Sequence, residues 1–456
     1  MSMRIKLALA AALTVGMAGC SSIGDGAKLE SLQIVKTSSL LGVSDDRLFL
    51  CFNETLQLLG TFSDGTVGDF TSRADWRSSS AAVRVSNADI LVPGSTTFAF
   101  PSGTLIPTKE SPTPVTIHAD FVGLSAEFTV ASVEEPGPFA LTPAVANVAV
   151  GSLLGLTVTT TVDNFPIDVT RAASWAFETP DTTKATIGAG NGVVLGVAPT
   201  TTAMVVKPTF IVCQLATELD RRAEIDSLQS SISVAVPASL ALSREFGATE
   251  PRLVLGTTNA LQTTASFASG PTQDLSRQVT YASSGPTFVT VVPSFTAGQP
   301  NTGFGGVRNV VQALAPGDAT ITATFGTDAG LRTSNPLQIQ AVQASLVDVV
   351  IPPGPYKVNA LGQLQMHANG RFDLDNVVGA PVNEFIQDIT RHVVWTTSDS
   401  TVAVISNETA SAGLLFARKS TAGTVTVTAT DSVATGIKAA TETVCIGLPP
   451  SGAPCP

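Results

Sequence analysis

Apolar and polar residues alternate with a period of two along much of the chain. Val115-Thr116-Ile117, Ala319-Thr320-Ile321-Thr322-Ala323 and Val425-Thr426-Val427-Thr428 are the clearest runs. Side chains two apart share one face of a strand, so these runs predict strands with one face buried. Clusters of Gly, Pro, Asn, Asp and Ser interrupt them about every ten positions and supply the turns. One stretch reads differently. Leu215 to Leu228 carries Glu218, Asp220, Arg221, Arg222, Glu224 and Asp226 around apolar Leu219, Ala223 and Ile225, which predicts a short helix used in packing between domains.

The pattern repeats. Asp, an apolar residue and Thr or Ser are followed by an aromatic seven positions after the Asp. The four copies are Asp69 with Trp76, Asp168 with Trp175, Asp274 with Tyr281, and Asp388 with Trp395. Flanking phrases recur in the same order: Leu56-Gln57, Leu261-Gln262 and Leu364-Gln365 upstream, and Ser31-Leu32, Ser239-Leu240 and Ser345-Leu346 at the starts. Units of about 100 residues made of short strands predict antiparallel β-sandwiches. The repeated aromatic is then the plug between the two sheets. The repeated Asp begins a turn, where its carboxylate and the Thr hydroxyl can satisfy backbone donors rather than hold a metal.

Thr61-Phe62-Ser63-Asp64-Gly65-Thr66 and the run from Trp395 to Val404 resemble bacterial immunoglobulin-like domains of group 2, the type in intimin and invasin stalks. The resemblance covers nearly all of the chain after its first 28 residues and is weakest in the second unit. It implies an all-β, tandem array of four immunoglobulin-like sandwiches at 29–134, 139–236, 238–342 and 344–448, with a tail at 449–456. The joints are short and contain Pro or Gln: Glu134 to Pro138, Val236-Pro237-Ala238 and Val342-Gln343-Ala344. Short joints restrict bending, so the array is expected to be a rod.

Residues 1–19 have the layout of a secretory signal: Arg4 and Lys6, then the apolar run Leu7 to Val15, too short to span a bilayer. Met17-Ala18-Gly19-Cys20-Ser21 resembles a lipobox, with Met17 where Leu is more common. That resemblance implies lipidation of Cys20 and a lipid-anchored protein of the cell envelope, with Ser21 pointing to the outer membrane. Residues 20–28 would form the tether, about 30 Å at full extension.

Four further cysteines, Cys51, Cys213, Cys445 and Cys455, suggest disulfides in an exported chain. A seven-strand sandwich topology places Cys51 and Cys213 at facing ends of the first two units, which predicts a Cys51–Cys213 bridge. Cys445 and Cys455 flank the tail and predict a second.

Composition then narrows the chemistry. Of 456 residues only 13% are charged, the formal net charge is −11, and 44% are hydrophobic. Cores are affordable, while disorder and a nucleic-acid partner are disfavoured. The three histidines, His118, His367 and His392, each fall in an expected strand and lack metal-ligand spacing. Asp373-Leu374-Asp375-Asn376 alternates oxygen ligands but lacks the rest of a Ca²⁺ loop, so Asp373 and Asp375 read as a solvated loop. No catalytic motif is present, and neither cofactor nor metal is expected. Tyr356, Arg418 and Lys419 would meet at the far end of the fourth unit, an exposed aromatic beside two cations and a candidate contact patch. The expectation is a non-catalytic, lipid-anchored stalk or spacer mediating contact or adhesion. Its partners would be the membrane and a protein or glycan. The alternative is a periplasm-facing module that binds glycan or an envelope protein.

Overall fold

In the computed structural model the described residues are 27–38, 46–162, 165–217, 219–244, 250–291, 309–327, 330–358, 362–374, 383–408, 411–418, 423–431 and 438–446. Residues 1–26, which include Cys20, and Asp375, Asn376, Lys419 and Cys455 lie outside them. The chain forms two compact units: one reaches Glu134 and includes Leu215–Glu218, and the other holds Glu135–Gln214 and Leu219–Pro456.

The protein is all-β, built of sandwiches in tandem. Four stretches of strand, Leu29–Glu134, Ala140–Ala235, Ser239–Val342 and Ser345–Ile446, make their own sheets, and no described sheet mixes strands from two of them. The third is representative. One sheet orders Ser239–Arg244, Thr258–Ser266, Val310–Ala313 and Val289–Val291, with Gln273–Asp274 paired at its side. The other orders Arg252–Val254, Leu337–Val342, Gly317–Phe325 and Thr280–Ser283. Burial alternates as the sequence predicts. In Gly317–Phe325 the residues Ala319, Ile321, Ala323 and Phe325 face inward, and Thr320, Thr322 and Thr324 lie outward. Thr and Val suit both faces because β-branched side chains pack well on a pleated surface.

The sandwiches are not purely antiparallel. In each, the opening chain changes sheets and pairs parallel with the last strand: Arg47–Phe49 with Ser132–Glu134, Val145–Ala149 with Ser230–Ala235, Arg252–Val254 with Leu337–Val342, and Tyr356–Val358 with Lys438–Ile446. A parallel pair needs a long crossover. Here the whole repeat is that crossover, so nothing local in the sequence announces it.

A left-handed residue recurs beside each plug. The carbonyls of Gly103, Gly192, Asn309 and Gly413 accept the amides of Leu56, Leu156, Leu261 and Met366. All four have positive φ, from 64° to 78°. At Gly413 an added Cβ would stand 2.5 Å from the Met366 carbonyl oxygen. Gly413→Ala is therefore expected to destabilise the fourth sandwich by about 1–3 kcal/mol, read by denaturant unfolding. An unchanged midpoint would mean that the turn relaxes freely.

The short helix is present as Arg222–Ser227. Only its Ile225 is buried. Glu224 Oε1 accepts the Phe139 amide at 2.9 Å, and Glu135 Oε1 accepts that of Arg221 at 3.1 Å, so the helix packs on the start of the second sandwich.

Candidate functional site

The repeated Asp–Thr/Ser–aromatic positions form one relay, built four times. Each Asp carboxylate accepts the amide two residues on: Thr71 at 2.8 Å, Thr170 at 2.9 Å, Ser276 at 2.8 Å and Thr390 at 3.2 Å. The hydroxyl of that residue accepts a backbone amide from Leu58, Val158, Thr263 or Ala368. Its carbonyl accepts the aromatic's polar hydrogen: Trp76 Nε1 at 2.9 Å, Trp175 Nε1 at 3.1 Å, Tyr281 Oη at 3.0 Å and Trp395 Nε1 at 2.9 Å. Each aromatic is thereby held by its far end as well as by packing. Burial pushes the Tyr281 hydroxyl up to about 12, so it stays a donor at any physiological pH. At Asp69, burial pulls upward, but the Thr71 hydroxyl and amide and the Gln57 amide outweigh it and hold the carboxyl below its usual range. These bonds are internal turn chemistry, which leaves the four aspartates structural.

The joints within the second compact unit use the same turn as a plug. Where the second sandwich meets the third, Gln273 Oε1 accepts the Ala149 amide at 2.7 Å and the Ser152 hydroxyl at 3.1 Å. Its Nε2 donates to the Leu153 carbonyl at 3.1 Å. Gln278 closes a second pair with Leu153, accepting its amide at 2.6 Å and donating to its carbonyl at 2.9 Å. Asn147 Nδ2 donates to the Ser269 and Pro271 carbonyls at 2.7 and 2.9 Å.

Between the third and fourth sandwiches the device recurs in register. Gln387 Oε1 accepts the Val254 amide at 2.9 Å, and Nε2 donates to Thr257 Oγ1 at 2.7 Å. His392 Nε2 accepts the Thr258 amide at 2.8 Å. Arg252, held by both oxygens of Glu250, lies over the Phe385 ring, 4.3 Å from its centroid. Ala149 and Val254 end their parallel ladders. Their amides point past the sheet and would be buried orphans without the next sandwich's glutamine. Both side chains also belong to that next sandwich's core.

Sequence reasoning missed these contacts. A Gln precedes the repeated Asp only in the third and fourth copies, where Gly68 and Ile167 stand in the first two. Gln or His follows four residues after that Asp in the same two copies. That was the available signal.

A trough of about 1610 Å³ runs along this unit past both joints. Its walls include Gln262, Asp274, Arg277, Gln365, Asp388 and Arg391. These polar side chains repeat from one joint to the next, set among apolar ones such as Leu153, Val193, Leu195 and Ala260. Among the described residues that line it, Phe325 and His367 carry aromatic rings.

Two of the three histidines depart from expectation. His118 does lie in a strand, Val115–Phe121, with Nδ1 3.2 Å from Glu127. His367 lies between strands, with Nδ1 3.8 Å from Asp388, and His392 lies in the turn that docks the fourth sandwich. The turn places them where strand alternation does not apply. Tyr356 is not an exposed aromatic either. It sits in Tyr356–Val358 against the core, and its hydroxyl donates to the Pro352 carbonyl at 2.5 Å. Burial raises its pKa. Parallel pairing with the last strand draws it inward, while Arg418 stays exposed. Asp373 ends the strand Asn369–Asp373 and is buried rather than solvated. Among the described residues no group of three or more metal-type ligands occurs. Cys51, Cys213 and Cys445 are each disulfide-bonded. No helix among the described residues is long and apolar enough to cross a membrane.

No family model matches the chain. A curated relative, "Ice-binding protein 1" of Shewanella frigidimarina (strain NCIMB 400), is 25% identical over 414 residues, 88% of this chain. The chain spans only 40% of that relative's length. Among solved structures, domains 4–9 of the surface layer protein SbsC align at 15% identity over 92% of this chain and 66% of that one, with a TM-score of 0.23. Extracellular cadherin domains 1–5 of protocadherin gamma B2 align at 11% identity over 91% and 80%, with a TM-score of 0.16. TM-scores this low set no correspondence of residues or of function.

Proposed function

We propose that the chain is a non-catalytic cell-envelope spacer, anchored by lipid at Cys20, whose sandwiches hold a contact surface away from the membrane. The observation that carries this reading is the paired joint. Two successive joints are fastened by the same buried glutamine, each seating a backbone amide that ends a strand. Freely jointed domains need no such plug, whereas a spacer that must resist bending does. The lipobox resemblance at Met17 to Ser21 and the immunoglobulin-like phrasing support surface display. The test is protease shaving of intact cells, with metabolic lipid labelling of the chain and its Cys20→Ala variant. Peptides released from residues 344–448, with label lost in the variant, support the reading. Full protection until the outer membrane is opened would turn the spacer toward the periplasm.

A second reading, a module that binds glycan, is favoured by the Gln, Asp and Arg side chains that repeat along the trough beside its apolar lining. Planar amides, carboxylates and guanidinium groups suit sugar hydroxyls. The relative's printed ice binding is not carried over, because the aligned part is under half of that protein. The purified chain is expected to show no thermal hysteresis, and a clear hysteresis gap would revive that activity.

A further inference from the structure

The two joints differ at one chemically telling position. Gln278 and His392 stand four residues after the repeated Asp and seat equivalent amides, of Leu153 and Thr258. Gln278 both accepts and donates, and it carries no titratable group. His392 accepts with Nε2, from the Thr258 amide at 2.8 Å, and Thr258 Oγ1 lies 2.9 Å from the same nitrogen. An amide can only donate, so Nε2 must hold a lone pair and the imidazole must be neutral. Adding a proton there sets one donor against another inside a largely buried contact.

We infer that His392 makes the joint between the third and fourth sandwiches acid-labile, while the joint between the second and third is indifferent to pH. The other charged groups around His392 are Asp388 and Arg391 on its own turn and Asp431 at the end of the neighbouring strand Gly423–Asp431. Arg244, from the third sandwich, also faces Asp388, and His367 lies 3.8 Å from it. Burial lowers the His392 pKa from its ordinary 6.5, and the carboxylates of Asp388 and Asp431 oppose it without reversing the direction. A depressed value in the docked state means that undocking takes up a proton. The contribution of this contact is complete above about 6.5 and is lost as pH falls below that value.

The test is made on the full chain. Hydrogen exchange at Thr258 is followed from pH 7.5 to 5, corrected for intrinsic chemistry, beside the imidazole titrations of the three histidines. Thr258 protection should fall at least tenfold, at the same pH where His392 itself titrates, while Leu153 protection stays constant. His392→Gln should flatten the Thr258 response, and Gln278→His should make Leu153 acid-sensitive. Constant Thr258 protection in the wild type would overturn the inference. So would a fall that tracks another group's titration, or a His392→Gln chain that responds like the wild type. If His392→Gln leaves Thr258 unprotected at every pH, the wild-type coincidence and the Gln278→His transplant still decide the matter.

Discussion

Trp395→Ala is expected to cost the fourth sandwich about 3–5 kcal/mol, the range for deleting a fully buried aromatic. The indole is 1% exposed and belongs to the cluster that includes Met366, Phe372, Leu415 and Val427. Its removal leaves a cavity between the sheets and strips the Thr390 carbonyl of its Nε1–H donor. A domain is stable by only about 5–15 kcal/mol, so the loss is a large share of the total. The chain has three tryptophans, and the other two report on other sandwiches, Trp76 on the first and Trp175 on the second. Denaturant unfolding should show those two fluorescence transitions unmoved, because distant sites add independently. Hydrogen exchange in Val394–Thr397 and Gly423–Asp431 should lose protection at the same time. Unaltered protection in those strands would mean that the indole is not the plug of its sandwich.

Gln273→Ala should release the third sandwich from the second without unfolding either. The side chain is 4% exposed and serves the Ala149 amide, the Ser152 hydroxyl and the Leu153 carbonyl. Truncation leaves the buried Ala149 amide without an acceptor, while the Ser152 hydroxyl keeps the Ala149 carbonyl at 2.8 Å, so the cost to docking is about 1–3 kcal/mol. Gln278 and Asn147 still bridge, so the expected result is an equilibrium between docked and open forms. Small-angle scattering should show a broadened distance distribution, and exchange at Ala149 should quicken. The cores around Trp175 and Tyr281 should keep their unfolding midpoints. A rigid joint in the variant would shift the weight to the apolar seat that Ala149 makes in the third sandwich's core.

The two substitutions separate what was legible from what was not. Trp395 was legible because its signal is local. It stands seven positions after an Asp, in an alternating run, in a phrase repeated four times. Gln273 repeats as well, but only in two copies, and nothing in its own strand says that its partner is the end of another sandwich. Gly413 and its counterparts fall between. They are glycine or asparagine, as a left-handed turn requires, yet Gly103 and Asn309 stand 27 and 28 positions after their aromatics and Gly192 and Gly413 stand 17 and 18. A fixed offset could not find them.

Tyr356 and His392 show the opposite failure, in which a local rule applied correctly gives the wrong surroundings. Tyr356 follows Pro353-Gly354-Pro355 and reads as a loop tip. It is drawn inward because the last strand, nearly ninety residues on, accepts it as a parallel neighbour. His392 lies beside the alternating run that begins at Val394 and reads as part of it, but it ends the docking turn instead.

By itself, then, the sequence determined the class of fold, the number of repeats, the plug of each core and the turn chemistry that holds it. All of these depend on residues close together in the chain, where side-chain period and hydrogen-bond reach are set by backbone geometry. The tertiary structure alone decided the sheet exchange of each opening strand, the glutamines that fasten one sandwich to the next and the environment of His392. Those rest on buried backbone groups that must be satisfied by whatever distant side chain the fold brings to them.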